Sequence, residues 1–115
     1  MAVYEERAEK RAAKRLNQRL FIRFGLNNRN HIGVVFDLSS VGLFVRSSTV
    51  FSLRTQLDIE LKLPDNRSIV CIGEIVWVKR IFPDTDHVNE KQGMGIHLPY
   101  PPESYERFVE DLHSF

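Results

Sequence analysis

Between residues 56 and 63 the chain alternates strictly, with Leu57, Ile59, Leu61 and Leu63 on one parity and Asp58, Glu60 and Lys62 on the other. A period of two is that of a strand with one buried and one wet face, and Pro64-Asp65-Asn66 directly behind it supplies a hairpin turn. The same period begins at Arg19, where Leu20, Ile22 and Phe24 alternate with Phe21 and Arg23 until Gly25 and Asn27-Asn28-Arg29-Asn30 make a turn. His31 to Leu38 predicts a second strand, with Ile32, Val34, Phe36 and Leu38 on one face and Val35, Asp37 and Ser39 on the other. With the even face toward a core, Asp37 and Ser39 look outward. Leu43 to Arg46 resumes as a strand after a turn at Ser39-Ser40-Val41-Gly42. Arg67 to Lys79 is a long β-rich run in which Gly73 predicts a bulge or tight bend. A polar loop over Phe82 to Lys91 leads to a last strand from Gly93 to Leu98.

The period lengthens to that of a helix only at the C-terminal end, where Tyr105, Phe108, Val109 and Leu112 follow Pro101-Pro102. No helical crossover separates the strands, so the pattern predicts a small antiparallel barrel closed by one amphipathic helix rather than a parallel α/β sheet. Tyr4 to Leu16 is rich in helix formers, but its apolar residues are mostly alanine and build no wide stripe. This leader is expected to be partly helical and mobile until something holds it.

Length changes the picture little: 115 residues suit one domain, divided as a basic leader over 1–18 and a barrel with its helix over 19–115. Charge changes it more. Residues 1–30 hold eight Lys/Arg against three Glu, a balance of +5, whereas residues 31–115 hold eight against twelve Asp/Glu, a balance of −4. Attraction for anions therefore belongs to the front of the chain. No apolar run approaches the roughly 18 residues of a membrane span, and charges stand where a signal peptide needs an apolar stretch, so the expected compartment is the cytoplasm. Cys71 is the single cysteine and lies in an apolar run, as a small buried hydrophobe would.

Two motifs carry candidate chemistry. Arg11 and Arg15 form Arg-x-x-x-Arg within Lys10-Arg11-Ala12-Ala13-Lys14-Arg15, and Asp37, Ser39 and Gly42 form Asp-x-Ser-x-x-Gly. Guanidinium forks pair bidentately with a phosphate or with guanine O6 and N7. A carboxylate can accept from guanine N1 and N2 hydrogens or hold an arginine in place, a serine hydroxyl can donate to phosphate, and a glycine lets a flat base approach the backbone. Asp37 and Ser39 are equally the residue types that cap a turn around Gly42. Arg15 and Arg19 repeat the arginine spacing, while Arg19 and Arg46 read as charges on a solvated face.

Taken together and in this order, before and after a first strand, the two motifs resemble those of the PilZ family, from about Glu9 through the C-terminal helix. Val76-Trp77-Val78 and Gly93-Met94-Gly95-Ile96 are similar to the family's strands as well. The resemblance implies a six-stranded β-barrel that binds the bacterial second messenger cyclic di-GMP. It implies Arg11 and Arg15 rather than Arg15 and Arg19 as the arginine pair, because Glu9-Lys10-Arg11 is similar to the family's charged lead-in and Arg15 then precedes the first strand. Lys10 would affect how the ligand is accommodated, Asp37, Ser39 and Gly42 would contact it, and Trp77 would stack on a guanine.

The expected function is thus a cyclic di-GMP receptor that changes conformation and signals to a protein partner in motility, biofilm formation or a related behaviour. Two other readings remain: a PilZ-fold adaptor acting by protein contacts without ligand, and a small-barrel binder of single-stranded nucleic acid, for which aromatics interleaved with basic residues are missing. DNA and RNA are not expected partners. His31, His87, His97 and His113 are scattered without metal-ligand spacing, and there is no nucleophile elbow or phosphate-binding glycine loop, so neither a metal nor an enzymatic activity is expected.

Overall fold

The computed structural model describes residues 15–81 and 92–113. Six strands appear in chain order: β1 (Leu16–Gly25), β2 (His31–Ser39), β3 (Gly42–Arg46), β4 (Gln56–Lys62), β5 (Ser68–Lys79) and β6 (Gly93–His97), followed by α1 (Glu103–His113). They close a barrel in the order β1-β2-β3-β6-β5-β4, with β4 returning to β1. Every neighbouring pair is antiparallel. Closure leaves no free strand edge, which suits a chain too short to cover one. Most of the basic leader, including Lys10 and Arg11, and the polar loop from Phe82 to Lys91 lie outside the described residues.

Alternation builds the core where it was regular. Leu57, Ile59 and Leu61 of β4 are fully buried, as are Ile22 and Phe24 of β1, and Leu63 follows at the strand's end. The β4–β5 turn is closed by the Leu63 amide donating to the Arg67 carbonyl at 2.8 Å, with Asn66 at φ 72°, a left-handed angle that asparagine tolerates. Following β6, α1 lays Tyr105 and Val109 into the core, with Phe108 and Leu112 packed beside them. The Pro102 carbonyl accepts from the Tyr105 and Glu106 amides and so starts the helix, and Glu103 and Glu106 in its first turn complement the helix dipole.

Three local expectations are corrected. The first strand begins at Leu16, not Arg19. Gly73 sits in regular register opposite Leu57, and its missing Cβ makes room for the side chains of Ile96 and Ile59. The irregularity in β5 lies instead between Ile75 and Trp77, where the pairing with β6 shifts and leaves Val76 and Trp77 both on the outside.

The largest correction concerns β2. Its inward residues are Val35 and Leu38, whereas Ile32 is 74% exposed. Val35 pairs with Val45 and Asp37 with Phe44, so β2 has two residues where β3 has one, and Phe36 is the extra residue. On its other side β1 slips too, with Asn17 opposite Asp37 but Leu20 opposite Val35. The bulge moves the core face from odd to even positions within the strand, an event that periodicity of the strand alone does not reveal.

Burial also sets a pH dependence. It pushes the Cys71 thiol up to about 11 and the Tyr105 phenol well above its ordinary range, the latter aided by Cys71 and opposed by Arg15. Each keeps its proton in the folded chain where the unfolded chain has lost it, so these contributions are intact below about pH 9, where a free thiol titrates, and are lost as pH rises through the folded value. Chemical denaturation between pH 8 and 11 should show stability falling from about pH 9, less steeply in Cys71→Ala; a flat profile in the unaltered chain contradicts it.

Candidate functional site

The site is built on the β2–β3 hairpin and the strands beside it. Along one level of the barrel the register places Asn17, Asp37, Phe44, Gly95 and Trp77 opposite one another, on β1, β2, β3, β6 and β5. From Asp37 to Trp77 is three strand spacings, about 14 Å along the curved surface. Phe44 meets Trp77 edge-on, ring centroids 5.4 Å apart at 61°. Gly95 between them carries no side chain, so the indole lies across an open step in the wall and remains 47% exposed. An exposed, partly supported ring of this kind can stack on a flat base.

Arg15 and Asp37 meet across 22 positions of sequence. Arg15 donates from Nε to Asp37 Oδ1 at 2.8 Å, and its Nη2 forms an ion pair with the same oxygen. The Arg15 side chain remains 54% exposed and that of Asp37 28%. A pair this wet contributes little to stability, about 0 to 1 kcal/mol. Its consequence is geometric, because the second arginine of one motif is held against the acid of the other.

Ser39 and Gly42 are placed differently. Ser39, expected to look outward, is 1% exposed. Its hydroxyl accepts from the Val41 amide at 3.3 Å, and its carbonyl accepts from the buried Tyr105 hydroxyl at 2.6 Å, which also reaches the Gly42 carbonyl at 3.3 Å. The turn-capping role open in the sequence is therefore realised, and a helix residue not expected at the site ties the motif turn to α1. Gly42 has no positive φ. It is needed because a Cβ there would stand 2.5 Å from the Ile96 carbonyl oxygen across the β3–β6 pair.

Arg19 and Arg46 are not simply solvated. Arg19 donates from Nη1 to the Phe36 carbonyl at 2.7 Å, and the guanidinium carbons of both arginines lie 3.8 Å from the centroid of the Phe36 ring. Phe36 and Tyr105 were not expected at the site because each looked like core by its spacing, and Phe44 because its short strand shows no clear alternation. No group of three or more His, Cys, Asp and Glu is placed to hold a metal among the described residues, and no helix of the described residues is long and apolar enough to cross a membrane. An open groove of about 600 Å³ lies elsewhere on the barrel, lined by Asn28, Asp58, Ile72 and Tyr100 among others, and includes none of the motif residues.

A closed antiparallel barrel with a C-terminal helix, carrying a cationic and aromatic outer surface beside its β2–β3 hairpin, defines the class: a small single-barrel domain. The chain belongs to the PilZ domain family, whose sequence profile matches residues 9–112. No curated protein matches it significantly. Among solved structures it is similar to the Bacillus subtilis inhibitor of motility MotI/DgrA, with TM-score 0.69 and 14% identity over 87% of this chain; it spans 47% of that protein's chain. It is also similar to the PilZ domain of Escherichia coli YcgR, solved with cyclic di-GMP, with TM-score 0.64 and 15% identity over 87% of this chain and 86% of that one.

Proposed function

We propose that this domain is a cytoplasmic cyclic di-GMP receptor that signals to a protein partner in motility, biofilm formation or a related behaviour. The observation that carries the reading is the Arg15–Asp37 contact, which joins the two motifs into one surface. The fold shared with a YcgR domain solved with cyclic di-GMP and with a protein named for inhibiting motility supports it. In this reading Arg11 and Arg15 donate to phosphate or to the O6 and N7 edge of guanine, with Lys10 beside them. Asp37 holds Arg15 or accepts from guanine N1 and N2, and a guanine stacks on Trp77. Ser39 can donate its proton while its oxygen accepts from Val41, and Gly42 keeps the turn flat against β6.

Signalling follows from the leader. A ligand with two negative charges would tie Arg11 and Arg15 to the Asp37 surface and change what the domain offers a partner. Titration with cyclic di-GMP beside GTP and a short single strand tests the reading, with hydrogen exchange on the same samples. Saturable binding of cyclic di-GMP alone is expected, with slower exchange around Glu9 to Leu16 and weaker binding at higher salt. The burial of Ser39 favours a second reading, a PilZ-fold adaptor whose motif serves the fold; folded protein that binds none of the three would select it.

A further inference from the structure

Arg19, Phe36 and Arg46 have no part in the function proposed so far, yet two irregularities of the barrel converge on them. Phe36 is the bulge residue of β2, and the slip in β1 falls directly beside it, at Gln18 and Arg19. Together they turn the Phe36 ring out of the core and bring Arg19 from β1 and Arg46 from β3 onto it, each 3.8 Å from its centroid. Arriving from the strands on either side of β2, the guanidiniums occupy opposite faces, since one face has no room for both. Arg19 is fixed further by its bond to the Phe36 carbonyl.

The charge balance is uneven. Among the described residues, Arg23, Arg54, Arg67 and Arg107 each pair with a carboxylate, but Arg19 and Arg46 do not. Two cations held one ring apart, with no acid between them, repel each other and attract an anion. A guanidinium lying over a ring satisfies its face and leaves N–H groups at its edge to donate. Phe36 directly precedes Asp37, so the pair stands next to the Arg15–Asp37 contact. Three arginines, Arg15, Arg19 and Arg46, against the one acid Asp37 leave a local charge of +2, which matches a ligand with two phosphodiesters.

We propose that Phe36 is a positioning residue of the ligand site, and that Arg19 and Arg46, held on its two faces, receive the phosphodiester that Arg15 does not. The proposal rests on the cyclic di-GMP reading. It assigns binding to two arginines outside the preferred motifs, and orientation to an aromatic that touches no ligand.

The test is titration of the full chain with cyclic di-GMP across a range of salt concentrations, for the unaltered protein and for Arg19→Gln, Arg46→Gln, Phe36→Leu and Phe36→Tyr. Arg23→Gln, farther along β1 and paired with Glu60, is the control for loss of an unrelated charge. Each arginine variant at the stack should bind roughly five- to thirtyfold more weakly and with a shallower salt dependence. Phe36→Leu keeps both cations, so it should lose about three- to tenfold in affinity while keeping the salt dependence, and Phe36→Tyr, which keeps the ring, should bind as the unaltered protein does. Melting curves establish that each variant is folded, and Arg19→Gln and Arg46→Gln carry the test if leucine is not accepted in the bulge. Unaltered binding by Arg19→Gln and Arg46→Gln, or by folded Phe36→Leu, overturns the proposal alone; no binding by the unaltered chain overturns both it and the reading it rests on.

Discussion

Replacing Arg15 with alanine is expected to lower affinity for cyclic di-GMP by about ten- to a hundredfold while leaving the melting transition almost unmoved. The two halves have different causes. A guanidinium fork on a phosphodiester or on a guanine edge is a charge-assisted contact of about 1.5 to 3 kcal/mol, and each 1.4 kcal/mol is tenfold in the dissociation constant. In the free protein the same fork makes only a half-exposed ion pair with Asp37, whose loss costs the fold about 0 to 1 kcal/mol. Asp37→Ala should also weaken binding, by releasing Arg15 from the surface. Calorimetric titration with a thermal melt on each variant separates the two effects. Arg11→Ala should behave like Arg15→Ala; if it binds normally and Arg19→Ala does not, the arginine pair is Arg15 and Arg19. A binding loss in Arg15→Ala matched by an equally large loss of stability would reassign the residue to the fold.

Gly42→Ala should do the reverse and damage the fold first. The added methyl group would meet the Ile96 carbonyl oxygen at 2.5 Å, with His97 Cα in ordinary contact behind it. That oxygen is backbone, not a flexible side chain, and Gly42 pairs with His97 in the ladder that joins β3 to β6. Relief requires the two strands to separate at their shared end, where the Tyr105 hydroxyl also bonds the Gly42 carbonyl and the Leu98 amide bonds the Val41 carbonyl. Overpacking against backbone costs about 2 to 3 kcal/mol, which in a domain of this size lowers the melting temperature by roughly 10 to 20 °C. Any loss of ligand affinity should shrink when the comparison is made on the folded fraction. A variant that melts like the parent but fails to bind would show that the glycine serves ligand approach rather than strand pairing.

The glycine illustrates how the Asp-x-Ser-x-x-Gly motif divides. Asp37 faces outward to Arg15, Ser39 caps its own turn under Tyr105, and Gly42 admits a neighbouring strand. Only the first of these has a role at the surface without ligand. A motif this short can therefore couple site and fold, because the turn that presents Asp37 is the one α1 holds through the Tyr105 hydroxyl.

Much of the architecture was written in local patterns. The alternation of β4, the Pro64 to Asn66 turn and the helical spacing from Tyr105 to Leu112 each follow from forces acting within a few residues, and each stands where the pattern put it. The two motifs and their order around a first strand were legible for the same reason, since residue type and spacing are sequence properties. The orientation of β2 was not. Whether Phe36 or Val35 faces the core depends on where β1 and β3 slip against it, and a slip is a joint property of three strands that meet only in the closed barrel. Gly73 looked like a bend in isolation, yet its reason is supplied by Ile59 and Ile96 from other strands. Likewise the sequence by itself determined the Arg-x-x-x-Arg and Asp-x-Ser-x-x-Gly spacings of Arg11, Arg15, Asp37, Ser39 and Gly42, while Arg19 and Arg46 read there as solvated charges. Only the tertiary structure decided that Asp37 takes Arg15, that Phe36 gathers the other two guanidiniums and that Ser39 goes inside, because those outcomes turn on packing between segments whose separation along the chain carries no record of their contact in space.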